Sequence, residues 1–251
     1  MNLSSLIFLR LNINSSLYVR DNKMENRKHG YKINEPVSGY FAMFTLFIGI
    51  TAIPLFLTNS AELMQHGLLI PLVVTLEFIF ITLLYYIFFR KREGLGAGNF
   101  RLKTFSILFL IILLVQYLFP YFSGMNKAET WSESQTNLGG YIFWINAILL
   151  ICIVPVYEEI VFRGCLFNIL KFWFRGNIYG AAIVVSLIFS AVHLQYTEIR
   201  TFIMLFLVSL TLTAARVKSQ GLLMPVILHM LMNTVVAVTQ YAAYILLVPQ
   251  N

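Results

Sequence analysis

The apolar stretches of this 251-residue chain contain few side chains able to do chemistry. They are Glu77, Gln116, Asn146, Glu158, Glu159, Arg163, His193, His229 and Asn233. In a bilayer interior a charged side chain costs about 2.5–3.5 kcal/mol on insertion scales, so it is retained where it is paired or used. Glu159 and Arg163 are four apart with the acid first, the favoured order for a helical ion pair. Glu158 points about 100° away from Glu159 and is five positions from Arg163, which leaves it without an equally good cation. A carboxylate placed in this way can exchange a proton with water, the work of a general base. The competing reading is an ion-pair cluster that joins helices.

Of the four histidines, His29 falls in the amino-terminal segment and His66 in a connection, leaving His193 and His229 at membrane depth. A turn expected at Arg175, Gly176 and Asn177 lies 17 residues beyond Glu158 and 16 before His193. In an antiparallel hairpin these distances put Glu158 and His193 at one height, in hydrogen-bonding reach directly or through a water. Phe189, four before His193, packs on the imidazole and fixes it. His229 and Asn233 are also four apart and share a helix face. Together they can donate hydrogen bonds to an oxyanion, or serve as interhelical ties worth about 0.6–2 kcal/mol. One mismatch stands out: at a 1.5 Å rise, His229 lies roughly 12–18 Å in from Lys218, but His193 roughly 25 Å from Arg175. Tilt, a bend at Pro155 and a short sixth span are expected to close it. Glu77 reads as a protonated helix contact without an obvious partner, and Gln116 and Asn146 as interhelical ties.

The elements that must position these groups follow from composition. The chain is 59% hydrophobic and 12% charged, with a mean hydropathy of +0.77, outside the range of soluble domains. The expected fold is all-α: a polytopic integral membrane bundle of about seven helices at 39–58, 68–89, 105–122, 141–160, 178–194, 200–215 and 222–248. The fourth is expected to continue toward Phe174 with a bend at Pro155. Residues 1–38 form a basic tail and 39–248 the transmembrane domain.

Fifteen Lys and Arg fall in the tail and alternate connections, against Lys127 and Arg200 in the opposite ones. This predicts a cytoplasmic amino terminus and an external carboxy terminus in a multi-pass cell-membrane protein. The net charge of +7 is therefore read as a topology signal, and nucleic acid is not an expected partner. The Leu3 to Leu11 stretch is interrupted by Arg10 and has no small-residue cleavage site, unlike a signal peptide. Met24 is an alternative start. Cys152 and Cys165 have neither disulfide nor zinc-site spacing and read as packing residues.

Several intramembrane chemistries are excluded by residue type. The single aspartate, Asp21, lies in the tail, so a two-aspartate protease is ruled out. The histidines are followed by Gly30, Gly67, Leu194 and Met230, which rules out H-E-x-x-H. No G-x-S-G serine-protease motif occurs.

The arrangement Glu158-Glu159-x-x-x-Arg163, Phe189-x-x-x-His193 and His229-x-x-x-Asn233, over about residues 141–240, resembles the CAAX prenyl protease and bacteriocin-processing family of intramembrane proteases (CPBP, or Abi). The resemblance implies an endopeptidase acting on a membrane-associated peptide or protein. Glu158 and His193 would activate a water, His229 and Asn233 would polarise the scissile carbonyl, and Glu159 and Arg163 would organise the surroundings. The family is described both as zinc-dependent and as metal-free, and two histidines with a carboxylate are compatible with zinc. The chain looks bacterial, which favours a bacteriocin-type peptide over a prenylated substrate. Two other readings use the same residues: a non-catalytic immunity or peptide-binding protein, and a transporter relaying protons through Glu77, Glu158 and His193.

Overall fold

A computed structural model describes residues 37–124, 129–138 and 140–247. The expectations for the basic tail before residue 37, and for a start at Met24, lie outside the described residues. No strand occurs among the described residues, and the fold is all-helical.

Helix α1 spans Val37–Thr51 and stops short of the expected residue 58. Pro54 stands near the start of a 3-10 turn at Ile53–Phe56, where its missing N–H and its restriction on the preceding residue end the helix. A short α2, Ser60–Gln65, leads into α3, Leu69–Leu84, which continues through a wide π turn at Tyr85–Phe89. Helix α4 is Leu102–Ser123, closed by Gly124 at φ 68°, a left-handed cap open to glycine. After α5, Thr130–Asn137, comes the longest helix, α6, Gly140–Trp173. Helices α7, Ile178–Ala191, α8, Ile199–Ser219, and α9, Leu223–Leu247, complete the described chain. The α3 span Leu69–Phe89 and helices α4, α6, α8 and α9 are long and apolar enough to cross a membrane, while α1 and α7 are shorter apolar helices. The protein is a multi-pass membrane protein, and the seven apolar helices among the described residues overlap the seven expected stretches, with α1 ending early.

Helix α8 packs against α4, α7 and α9. Leu108 and Ile112 of α4 meet Val208, Leu212 and Ala215 of α8 and Met224, Leu228 and Met232 of α9 in one buried cluster. The α6–α7 hairpin turns as expected. Arg175 (φ 53°) and Gly176 (φ 91°) are left-handed, and the Gly176 N–H returns to the Lys171 carbonyl at 2.8 Å. The Asn177 side chain then caps α7 by accepting from the N–H groups of Tyr179 and Gly180.

Two further contacts tie the bundle ends. After α3, the segment 94–99 docks on the α8–α9 turn: Leu222 N–H donates to Gly96 O at 2.9 Å, and Asn99 N–H to Ser219 O at 2.7 Å. This carries Leu95 to full burial against Gly164 of α6, and the Tyr85 hydroxyl donates to its carbonyl. At the other end, the Glu129 carboxylate accepts from the N–H groups of Thr197 and Glu198 and from the hydroxyls of Thr197 and Thr201. It thereby satisfies donors at the α8 amino terminus that have no partner within the helix.

Candidate active site

Helix α6 supplies two carboxylates and an arginine from a stretch whose winding is irregular on both sides. Leu149–Ile153 is π-wound, Val154–Glu159 is α, and Ile160–Leu166 is π again. In an i→i+5 register the donor to the Leu150 carbonyl would be residue 155, and Pro155 has no N–H. Asn233 of α9 supplies the missing donor, its Nδ2 lying 2.8 Å from Leu150 O.

The innermost layer is an ionic cluster. Glu159 and Arg163 are fully buried and joined at 3.0 Å, as their spacing predicts. The same Glu159 oxygen also lies 2.8 Å from His229 Nδ1, a partnership the spacing alone does not reveal. Because a carboxylate only accepts, His229 Nδ1 carries a proton and Nε2 faces away from Glu159. Arg163 uses its other amino group on Ser209, at 2.9 Å to Oγ and 3.4 Å to O, and lies over the Phe189 ring at 4.4 Å from the centroid. Ser209 had no signal in the sequence, since a serine on an apolar helix has many ordinary uses. A charge pair at this depth is tolerable when further hydrogen bonds satisfy it, and here α8 and α9 provide them.

Glu158 lies on a different side of the helix. Its side chain keeps 12% exposure, and Oε2 is 3.9 Å from His229 Nε2, longer than a hydrogen bond. Arg163 is spent on Glu159 and Ser209, so Glu158 is the carboxylate with the weaker compensation. The bond to Glu159 brings His229 of α9 level with this part of α6, while the sixth span, expected to be short, runs for 21 residues.

His193 follows the end of α7, and its Nδ1 lies 2.6 Å from the Phe189 carbonyl. A carbonyl also only accepts, so Nδ1 holds the proton and, in the neutral ring, Nε2 is an acceptor. Among the hydrogen bonds of the described residues, none joins His193 directly to Glu158. Phe189 is the hub between them: its ring lies 4.6 Å from that of His193 and 6.2 Å from that of His229, centroid to centroid. It therefore fixes both histidines and the guanidinium, where its spacing predicted one contact. Tyr196 stacks on His193 at 6.3 Å, and Trp131 of α5 meets Tyr196 edge-on at 5.8 Å.

Among the described residues no group of three His, Cys, Asp or Glu could hold a metal ion. Glu159 is already shared by a guanidinium and an imidazole N–H, and Phe189 O takes one nitrogen of His193. Glu77, expected to lack a partner, accepts from the Thr51 hydroxyl at 2.6 Å and has the Tyr157 side chain beside it. Asn146 donates to Gly67 O at 3.2 Å and to Gln135 at 3.3 Å, the kind of tie expected of it.

The matched stretch and the cluster coincide. Residues 140–235 match the family of type II CAAX prenyl endopeptidase Rce1-like proteins. This Rce1-like stretch begins at α6, ends within α9, and contains Glu158, Glu159, Arg163, Phe189, His193, His229 and Asn233. An uncharacterized 24.3 kDa protein of Escherichia coli is 37% identical over 86 residues, covering 34% of this chain and 40% of that protein. The chain thus spans less than half the length of this curated relative. No solved structure matches the chain significantly. Glu77, Thr51 and the docked segment 94–99 all lie outside the Rce1-like stretch.

Proposed function

We propose that the protein is an intramembrane endopeptidase that hydrolyses a peptide bond of a membrane-associated peptide or protein. The carrying observation is the division between adjacent carboxylates: Glu159 neutralised by Arg163 and His229, Glu158 left facing His229 Nε2 at 3.9 Å. In this mechanism a water is held between Glu158 and the acceptor Nε2 of His193. Glu158 takes one water proton as the oxygen bonds to the scissile carbonyl carbon. The carbonyl oxygen becomes an oxyanion, stabilised by Nε2–H of His229 in its imidazolium form. Glu159 supports that charge: before the proton moves, His229 and Arg163 balance the two carboxylates, and once Glu158 is protonated the single positive charge left on the four-residue cluster offsets the oxyanion. Asn233 has a second N–H beyond the one given to Leu150 and donates it to the same oxyanion. Glu158 returns its proton to the amide nitrogen, the C–N bond breaks, and an acid and an amine leave. No step passes through a metal.

The substrate class favoured is a bacteriocin- or pheromone-type precursor in a bacterial cell membrane, with residues 39–248 acting as one transmembrane domain and the amino terminus cytoplasmic. The basic residues that flank alternate spans support that orientation. The test uses the full chain in lipid nanodiscs with membrane-tethered precursor peptides, read by mass spectrometry. Wild-type protein should cut, and Glu158→Gln, which keeps shape but removes the base, should lower the rate by about 10²–10⁴-fold. Cleavage by Glu158→Gln at the wild-type rate would overturn the assignment. Retained peptide binding with no cleavage by the wild type would favour an immunity or binding protein instead.

A further inference from the structure

One buried polar cluster, two of whose three members lie outside the Rce1-like stretch, has no part in the mechanism. Glu77 of α3 is 4% exposed and accepts from Thr51 at the end of α1 at 2.6 Å. Thr51 Oγ1 also lies 2.9 Å from the Phe47 carbonyl, so its one proton is shared between two acceptors. The third member is Tyr157 of α6, 2% exposed, its side chain beside the Glu77 carboxyl and its ring 6.3 Å from that of Phe47. Helix α3 packs on the Val154–Glu159 stretch, and Tyr157 immediately precedes Glu158.

From this we infer that Glu77 is a positioning residue for Glu158, acting through Tyr157 to set the rotation of the helix segment that carries the base. The inference rests on the reading of Glu158 as that base. Val154–Glu159 is only six residues of α-helix between two π-wound stretches. Its hydrogen-bond ladder is interrupted by Pro155 and widened immediately beyond Glu159, so the ladder alone holds its phase weakly. Successive side chains differ by about 100° around a helix. Anchoring Tyr157 toward α1 and α3 therefore directs Glu158 to the side where His229 stands. A carboxyl is a costly tie inside a bilayer, and this one sits where a small rotation would move the reacting group.

The test compares Glu77→Leu, Glu77→Gln and Tyr157→Phe, each checked for monodispersity and thermal stability in detergent. Glu77→Leu and Tyr157→Phe should each lower kcat about 10- to 100-fold with little change in KM, as expected of a misplaced catalytic group. The double variant should be no worse than either single one, since both act through one contact. Glu77→Gln keeps an acceptor and should restore most of the activity.

A second arm needs no cleavage. In a background with Cys152 and Cys165 replaced by alanine, Glu158→Cys is labelled with a small thiol reagent. Adding Glu77→Leu should change its labelling rate by about threefold or more, because thiol reactivity follows exposure and surroundings, and adding Glu77→Gln should not. Unchanged kcat or unchanged labelling in Glu77→Leu would overturn the inference, as would additive losses in the double variant. If the wild type cuts nothing, the protease reading fails while the labelling arm still decides the role of Glu77.

Discussion

Asn233 Nδ2 donates to the Leu150 carbonyl at 2.8 Å, across 83 positions of sequence, and fills the bond that Pro155 cannot make. Removing the amide by Asn233→Ala strands that carbonyl and should cost about 1–3 kcal/mol of stability. In a Pro155→Ala background a backbone N–H returns, and the same substitution should cost clearly less. Unfolding measured for the four proteins of this cycle checks the coupling. Equal costs in both backgrounds would refute the account.

Glu159 and Arg163 should respond differently to substitution. Arg163→Met leaves Glu159 as a buried charge with only His229 beside it, and should destabilise by about 3–5 kcal/mol. Glu159→Gln keeps the fold better but removes the charge beside His229, and under the proposed mechanism should lower kcat by about 10–100-fold, the usual scale for a partner behind a functional histidine. Thermal unfolding and steady-state cleavage, run side by side, separate the two effects.

Acid should loosen the end of the bundle where Glu129 holds α8. Burial by itself would push the Glu129 carboxyl up, but the hydrogen bonds from Thr201, Thr197 and Glu198 outweigh it and hold the group below its ordinary range. The sign follows: a carboxyl depressed in the folded state stabilises at pH above its unfolded value of 4.5, and this contribution is lost as pH falls through the lower, folded value. Wild type should therefore exceed Glu129→Gln in Tm at neutral pH, with the gap closing as pH falls below about 4. A gap independent of pH would show that the carboxylate charge is not what stabilises the helix end.

Segment 94–99 should tolerate no side chain at Gly98. With φ at 73°, a Cβ there would stand 2.4 Å from Ser219 O and 2.6 Å from Gly221 Cα, both backbone atoms that cannot swing aside. Gly98→Ala should destabilise by about 1–3 kcal/mol or more. Gly49, inside α1 with nothing within 4 Å of where a methyl group would stand, is the control: Gly49→Ala should be neutral or stabilising by up to about 1 kcal/mol. Melting temperatures of the two variants against wild type check the contrast.

Much of this architecture was legible from residue spacing and hydropathy. The apolar runs located the helices, and equal arms about Arg175, Gly176 and Asn177 anticipated the α6–α7 hairpin. The i,i+4 rule anticipated the Glu159–Arg163 pair, because such pairs depend on one helix alone. What stayed hidden depends on which helices meet. The sequence carries no mark that His229 would choose Glu159, that Ser209 would receive Arg163, or that Asn233 would spend an N–H on Leu150. Glu77 looked solitary because Thr51, its donor, and Tyr157, its neighbour, come from other helices. The early end of α1 was written locally, in Pro54, but an unbroken hydropathy window passes over it.

Glu158 and Glu159 are consecutive, so the turn of the backbone itself leaves one side chain 12% exposed and the other fully buried. Their unequal surroundings are built into the winding and need no separate pocket for each. Gradual drift in the surrounding apolar side chains can therefore leave the distinction intact, while a single residue inserted upstream in α6 would turn both side chains by about 100° and put Glu158 where Glu159 stands.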